Sequence, residues 1–131
     1  MPNRVDLNGL RVLVTRPAHQ AGHLCDLIAA AGGHPVRFPL LAIRDLSANP
    51  EVQAHLSRLA EYHLAIFISP NAVRFGLAAF DRHIGLPSAT KLATVGRGSA
   101  IALEQALGRA PDIVPTERYD SEGLLALPAL Q

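Results

Sequence analysis

Residues 66–73 read Ile-Phe-Ile-Ser-Pro-Asn-Ala-Val, and this stretch decides the fold. Its apolar start predicts a strand that is buried on both faces, as in a parallel sheet covered by helices. Ser69 and Asn71 are residue types that cap helices, and Pro70 is tolerated at a first helical position. The stretch therefore predicts a strand that leads at once into a helix, which is the repeating step of an α/β fold.

Similar polar turns interrupt three other parts of the sequence. Residues 11–17 end in Thr-Arg-Pro, residues 91–100 contain the turn Gly-Arg-Gly-Ser, and residues 119–123 begin a further helix. Open α/β sheets bind ligands at the carboxyl ends of their strands, where a helix N-terminus offers N–H groups to an anion. The pattern therefore predicts that one anionic ligand uses several of these turns together.

The composition excludes several classes of protein. The chain has 131 residues, about the length of one domain, and 49% of them are apolar. A net charge of +1 and 5% aromatic residues with no Trp argue against a nucleic-acid partner. The apolar runs are too short for a membrane span, no signal-peptide pattern opens the sequence, and Cys25 alone cannot form a disulfide framework. We expect a cytoplasmic protein with no membrane partner.

Strands and helices are predicted to alternate along the chain. Residues 84–90 read as a loop, and no internal repeat is present. Alternation of this kind favours a mostly parallel α/β sheet. The predicted strands are 11–15, 64–68, 92–95 and 112–115, and the predicted helices are 20–31, 49–61, 71–82, 99–107 and 121–130.

An extended segment with two prolines separates the first strand from the rest. Pro35 and Pro39 lie within residues 34–43, which indicates an edge strand or a connecting ribbon rather than a central strand. We therefore expect strands 11–15 and 64–68 to lie in different sheets. The last eight residues are apolar and helical in pattern, and too few strands follow the ribbon to complete a sheet. The sequence reads as part of a longer protein.

Five motifs, taken in order, resemble the bacterial uroporphyrinogen-III synthase family. Each motif is short, but their order and spacing are those of the family, and together they cover nearly the whole chain. Family chains are about twice as long, so the resemblance is to the N-terminal half. The motifs are residues 7–17 (Leu-Asn-Gly-Leu-Arg-Val-Leu-Val-Thr-Arg-Pro), 38–43 (Phe-Pro-Leu-Leu-Ala-Ile), 66–73, 93–96 (Ala-Thr-Val-Gly) and 119–125 (Tyr-Asp-Ser-Glu-Gly-Leu-Leu).

The resemblance implies two flavodoxin-like domains, each a parallel sheet flanked by helices, joined by a two-stranded ribbon. Residues 1–39 would begin the first domain and residues 40–131 would form the larger part of the second, so that both domains are incomplete in this chain. The full-length protein is expected to be a monomer. Residues 1–131 alone are expected to show little activity, because half of the cleft between the domains is absent.

The resemblance also implies a reaction in tetrapyrrole (haem) biosynthesis. The family cyclises the linear tetrapyrrole hydroxymethylbilane to uroporphyrinogen III, inverting the last pyrrole ring and releasing water. No metal and no organic cofactor is implied. Such chemistry depends on folding the substrate and on assisting a proton transfer more than on a strong nucleophile.

The substrate of the family carries eight carboxylates, which suits the anion-binding turns. Ser99 matches a position where family members often carry Thr or Ser at the cleft, and it is the candidate catalytic hydroxyl. An ordinary structural position in the first turn of a helix is its alternative role. The candidate substrate-binding residues, all at the starts of helices, are Thr15, Arg16, Ser69, Pro70, Asn71, Gly96, Arg97 and Ser121.

Other functions stay open. Gly96 and Gly98 after a strand, with Glu117 about 20 residues further on, resemble the opening of a dinucleotide fingerprint, but the bulky Ile101 stands at the third small position. The chain is alternatively a non-catalytic flavodoxin-like module that binds a nucleotide or another anion, or a regulatory domain. A linear tetrapyrrole or a nucleotide as the bound ligand distinguishes the two classes.

Two histidines suggest a metal site, and three arginines suggest further anion-binding groups. His19 and His23 are four residues apart on a predicted helix, a spacing that can hold a metal, although solvated histidines are the more common case. Arg16, Arg74 and Arg97 all follow strand ends and can pair with carboxylates.

Overall fold

Parallel strand pairs, each flanked by helices, build the protein. The structure is a computed structural model that describes residues 5–82 and 85–131. Ile84, the first residue of the predicted loop, lies outside the described residues, as do the first four positions of the chain. The contacts divide the chain into two units, Met1–Arg44 (Unit 1) and Asp45–Gln131 (Unit 2).

In Unit 1, two strands and one helix form a βαβ step. Strand β1 (Arg11–Val14) pairs in parallel with β2 (His34–Arg37), and helix α1 (Gly22–Ala30) connects them. Val14 packs against α1 in a small core, because alternate residues of a strand point to opposite faces. The remaining core members are Ala21, Cys25 and Ile28.

Helix α1 begins later than the sequence predicts. The expected helix started at residue 20, but a 3₁₀ turn over Ala18–Gln20 comes first, and α1 itself starts at Gly22. Pro17 adopts φ −48° and ψ 141°, so the chain stays extended past the end of β1 before it turns. The strand-to-helix connection of Unit 1 is therefore not a direct one.

In the described part of Unit 2, residues 45–82 and 85–131, the chain forms two parallel strands and four α-helices. Strand β3 (Leu64–Phe67) pairs in parallel with β4 (Lys91–Thr94), with Leu64 opposite Lys91 and Phe67 opposite Thr94. The helices are α2 (Pro50–Leu56), α3 (Pro70–Asp81), α4 (Arg97–Leu107) and α5 (Ser121–Leu125), with 3₁₀ turns at Leu59–Glu61 and Pro128–Leu130.

One face of the β3–β4 sheet is covered along both strands. On this face, Phe67 and Leu92 pack with side chains of α3 and α4, among them the fully buried Leu103. On the other face, Ala93 packs with Ile113 and with Leu124 of α5, whereas Ile66 of β3 is 48% exposed. The prediction of a strand buried on both faces is therefore wrong for β3, while β4 is buried on both faces at Leu92 and Ala93.

The predicted strand 112–115 is reduced to one bridge. Ile113 pairs in parallel with Ala93, and the Thr94 N–H donates to the Ile113 carbonyl over 3.1 Å. The Leu92 N–H, however, donates to the Asp112 carboxylate (2.8 Å) instead of to a strand carbonyl. Prolines at 111 and 115 flank the segment and have no N–H to extend a ladder.

The α/β class with parallel sheets and flanking helices is confirmed, and β1 and β3 lie in different sheets. The boundary between the two units follows Arg44, five residues beyond the domain boundary predicted after Pro39. The assignment of residues 1–39 and 40–131 to two flavodoxin-like domains stays a prediction. No helix among the described residues is long and apolar enough to cross a bilayer.

Replacing Gly123 by Ala is expected to destabilise the protein. A Cβ at Gly123 stands 2.8 Å from the Arg118 carbonyl carbon and closer still to its oxygen, so the backbone must shift. Overpacking of this kind costs about 1–3 kcal/mol of unfolding free energy. Urea denaturation measures this change in the free energy of unfolding. Gly98→Ala is the matched control, because its Cβ meets only Pro70 Cγ at 3.7 Å, an ordinary contact. Equal unfolding free energies for the two variants would contradict the steric role of Gly123.

The cap of α5 makes the protein sensitive to acid. The Asp120 carboxylate accepts the Gly123 N–H (2.8 Å), and this bond, followed by Arg118, lowers the pKa of Asp120. A lowered pKa in the folded state stabilises the fold above the pKa of the unfolded chain, about 3.9, and the contribution is lost as pH falls through the folded value. Asp120→Asn should therefore lose less stability than wild type between pH 6 and pH 3. Urea titrations at several pH values test this, and parallel losses would show that Asp120 does not contribute.

Candidate functional site

Three helix starts meet at the carboxyl edge of the β3–β4 sheet. A Cβ placed on Gly98, in the first turn of α4, lies 3.7 Å from Cγ of Pro70, the first residue of α3. The guanidinium carbon of Arg97 lies 5.6 Å from the ring centre of Tyr119, just before α5. The parallel pairing places the carboxyl ends of β3 and β4 at this same edge. The predicted turns at 69–71, 96–99 and 119–121 are therefore neighbours.

The three starts differ in how their N–H groups are capped. Ser69 Oγ accepts the Ala72 N–H of α3 over 3.0 Å, and Asp120 Oδ1 accepts the Gly123 N–H of α5. Gly96, the N-cap of α4, has no side chain to offer, and a Cβ there would meet nothing within 4 Å. Among the described helices at this edge, α4 is thus the one whose first turn has no side-chain cap and opens onto free space.

Ser99 lies inside the first turn of α4 rather than at its cap. The helix starts at Arg97, two residues before the predicted start, because Gly96 is extended (φ −108°, ψ 162°) and takes the N-cap position. Ser99 is only 3% exposed and faces the protein interior. Its catalytic role stays a prediction.

Arg97 is the cation best placed at this edge. It is exposed, and its guanidinium lies over Tyr119, whose hydroxyl donates to the Thr116 carbonyl over 3.3 Å. Arg74, the other arginine candidate in Unit 2, lies one turn into α3 over the ring of Phe75 at 5.5 Å. A stacked guanidinium keeps its donors free for an anion.

Several carboxylates lie around the start of α5. A cavity of about 350 Å³ beside this helix is lined by Glu117, Arg118 and Glu122, among others. Arg118 is paired with Asp120 and lies 3.8 Å from Glu122. Ser121 is exposed at the start of a five-residue helix, next to these negative charges. Its predicted substrate contact stays a prediction, and the local charge argues against it.

Thr15 and Arg16 belong to Unit 1. Both are exposed at the carboxyl end of β1, and the Thr15 carbonyl accepts the Leu40 N–H over 3.2 Å. A 3₁₀ turn over Ala18–Gln20 follows these residues, and α1 starts only at Gly22. The anion-binding role of this turn stays a prediction, and the exposed Arg16 is its positive charge.

The other carboxyl groups with shifted pKa values lie away from the carboxyl edge. Hydrogen bonds from Ser47, followed by Arg82, lower the pKa of Asp45, and Arg58 lowers that of Glu61. Glu61 precedes β3, and Asp45 contacts Arg82 at the C-terminal end of α3. These groups are at the amino end of the sheet, and Asp120 is the described carboxyl group with a lowered pKa at the carboxyl edge.

The structure gives two findings on the alternative ligands. Within residues 5–82 and 85–131, no three His, Cys, Asp or Glu side chains come together as a metal site. Ile101, expected to obstruct the close packing of a dinucleotide-binding helix, is 55% exposed on the outer face of α4. That particular objection to a dinucleotide was wrong, because the packed face of α4 carries Ser99 and Leu103 instead.

Sequence reasoning overlooked two residues at this edge. Tyr119 was seen only as part of a motif, and its stacking on Arg97 joins residues 22 positions apart. Thr94, at the end of β4, is completely buried, and its hydroxyl has no hydrogen-bond partner in the described part of the chain. The sequence feature that could have drawn attention to Thr94 is its position two residues before Gly96, next to the glycine turn.

Comparison with known proteins gives one consistent family. The family model of uroporphyrinogen-III synthase HemD matches residues 23–131. A Methanocaldococcus jannaschii protein provisionally named uroporphyrinogen-III synthase is 30% identical over 121 residues, which cover 88% of this chain and 46% of that protein. The porphyrin biosynthesis protein HemD of Ruminiclostridium josui is 28% identical over 122 residues, or 90% of this chain and 24% of that protein.

The chain thus spans about half the length of the first relative and about a quarter of the second. The family match covers most of the sequence, including both strands of the candidate site. The fold, the order of the motifs and the family match agree, and the chain belongs to the uroporphyrinogen-III synthase family.

Proposed function

We propose that this protein acts in the cyclisation of hydroxymethylbilane to uroporphyrinogen III, as a hydro-lyase of tetrapyrrole biosynthesis. The observation that carries the proposal is the start of α4, where an uncapped first turn and the exposed Arg97 open onto free space. A substrate with eight carboxylates needs such sites, since helix N-termini and guanidinium groups both bind carboxylates. A cytoplasmic location and a monomeric full-length protein stay predictions.

The reaction requires the substrate to be folded on itself. Protonation of the hydroxymethyl oxygen and loss of water leave a cationic azafulvene, which the far pyrrole attacks at its substituted carbon. The resulting spiro intermediate fragments and recloses with the last ring inverted, and a proton is released. Anchoring carboxylates at fixed points lowers the entropic barrier of this closure, a contribution that well-oriented reactions can make very large.

Each part of the edge has a proposed role. The N–H groups of α4 and the Arg97 guanidinium bind one substrate carboxylate. The turn at Ser69, Pro70 and Asn71 contributes the positive end of the α3 dipole to a second. Ser99 assists the proton transfer, and its burial would limit competition from bulk water.

The activity of the whole protein needs more than Unit 2. The chain spans less than half of each relative described above, so parts of those proteins have no counterpart here. Thr15 and Arg16 are the proposed contribution of Unit 1. A non-catalytic module that binds a nucleotide is the competing function, and it uses the same uncapped start of α4.

The test offers hydroxymethylbilane to the full-length protein and, in parallel, to residues 1–131, which alone are expected to show little activity, and it separates the macrocycles by chromatography after oxidation. Formation of the ring-inverted isomer above the level without protein supports the proposal. Binding of hydroxymethylbilane is measured in parallel by calorimetry, with ATP as the competing ligand. A protein that binds ATP and shows no affinity for the tetrapyrrole is a nucleotide module, and the proposal is then wrong.

Placing a negative charge at Ser69 should weaken substrate binding without unfolding α3. Asp is as good an N-cap as Ser, so Ser69→Asp keeps the acceptor for the Ala72 N–H while its charge repels a carboxylate. Ser69→Asn, a neutral cap, is the matched control. We expect at least about tenfold weaker binding for Ser69→Asp and nearly unchanged binding for Ser69→Asn. Equal affinities would exclude an anion at this turn.

Removing the Ser99 hydroxyl should lower turnover without abolishing it. A hydrogen bond to a charged group contributes about 1.5–3 kcal/mol, or roughly one to two powers of ten. Ser99→Ala is therefore expected to reduce the rate by about 10–100-fold at unchanged unfolding free energy, and Ser99→Thr should restore it. Full activity of Ser99→Ala would leave Ser99 as an ordinary residue of the first helical turn.

A further inference from the structure

The strongest unexplained feature of Unit 2 is the hydroxyl of Thr94. Thr94 is 0% exposed, and its Oγ1 has no hydrogen-bond partner among the described residues. Buried polar atoms are almost always paired, because leaving one unpaired costs the full penalty of removing it from water. A hydroxyl held without a partner therefore needs a physical reason.

A second buried threonine shows what the ordinary arrangement looks like. Thr90, directly before β4, is 2% exposed, and its Oγ1 donates to the Tyr62 carbonyl over 2.9 Å. Thr90 and Thr94 flank the same short strand, at its amino and carboxyl ends. The paired hydroxyl of Thr90 lies at the amino end of the strand. The unpaired hydroxyl of Thr94 lies at the carboxyl end, which is the end with the candidate site.

Thr94 lies at the end of β4 from which α4 begins. Leu92 packs in the core beneath α3 and α4 together with Leu103, and Thr94, two residues further along the strand, shares that face. Val95 and the N-cap Gly96 then lead directly into α4, so two residues separate Thr94 from the first turn of that helix. Gly96 has free space around it, which leaves room for a ligand at the turn.

We propose that Thr94 is an anion-binding residue whose hydroxyl is paired only when an anionic oxygen occupies the first turn of α4. The inference rests on the proposed anion site and adds a buried donor to its N–H groups and to Arg97. The turn at Gly96 must open slightly for the anionic oxygen to reach Oγ1 of Thr94. Gly96 permits this movement, because a glycine backbone is flexible and the space where a Cβ would lie is empty within 4 Å. The binding energy of the ligand then includes a bond that the free protein lacks.

This arrangement gives Thr94→Val a distinctive signature. Valine has the shape of threonine without the hydroxyl, so the variant removes an unpaired buried oxygen from the free protein. We expect its urea midpoint to be equal to or above that of wild type, while its affinity for the anion falls about tenfold, or about 1.4 kcal/mol. Thr90→Val is the matched control: it breaks an existing bond, so its midpoint should fall while its anion affinity is unchanged. Thr94→Ser should bind like wild type.

The probes are inorganic phosphate and uroporphyrin, a stable octacarboxylic tetrapyrrole. Affinities come from titrations followed by the amide resonances of residues 96–99, which report on the turn itself. If wild type binds phosphate alone and Thr94→Val weakens it, the inference holds and the proposed substrate class is wrong. If uroporphyrin binds wild type and Thr94→Val equally, Thr94 has no part in binding and the inference is wrong, while the proposed function stands. Absence of binding by both probes overturns the inference, as does a lower midpoint for Thr94→Val.

Discussion

The parallel pairing of β3 with β4 is the constraint on which the candidate site depends. Because both strands run in the same direction, with Phe67 opposite Thr94, the helices that follow them start side by side. Burial of Leu92 and Leu103 between the sheet and its helices holds this register, since a slip by one residue would turn an apolar face outward. The closeness of the two helix starts, where a Cβ added to Gly98 would lie 3.7 Å from Pro70 Cγ, is a consequence of that register.

Capping then decides how the neighbouring helix starts differ chemically. Ser69 and Asp120 satisfy N–H groups of their own helices, which stabilises α3 and α5 at any ligand concentration. At α4 the N-cap is Gly96, so this helix lacks the stabilisation of a side-chain cap, and its first N–H groups stay available to a ligand. The edge therefore combines two helix starts whose side-chain caps stabilise the fold with one start whose first N–H groups are left for a ligand.

The sequence predicted the repeating pattern well because periodicity and capping are local. Strand β3, the cap at Ser69 and the glycine turn at Gly96 all follow from short stretches of residues. The late start of α1 depends on the extended conformation of Pro17. The predicted strand near Ile113 is reduced to one bridge because the Asp112 carboxylate accepts the Leu92 N–H. Neither follows from propensity, since each arises from a specific contact or dihedral angle in the folded chain.

The candidate site was predicted as a group of turns but not as a distribution of charge. Sequence motifs treated residues 119–123 and 96–99 as equivalent helix starts. In the folded chain, Glu117, Asp120 and Glu122 collect around α5, while Arg97 stacks on Tyr119 at α4. This distribution of charge repels a carboxylate from α5 and attracts it towards Arg97. Under the proposed function, such an asymmetry would hold a substrate with many carboxylates in a defined orientation, which a ring-inverting closure requires.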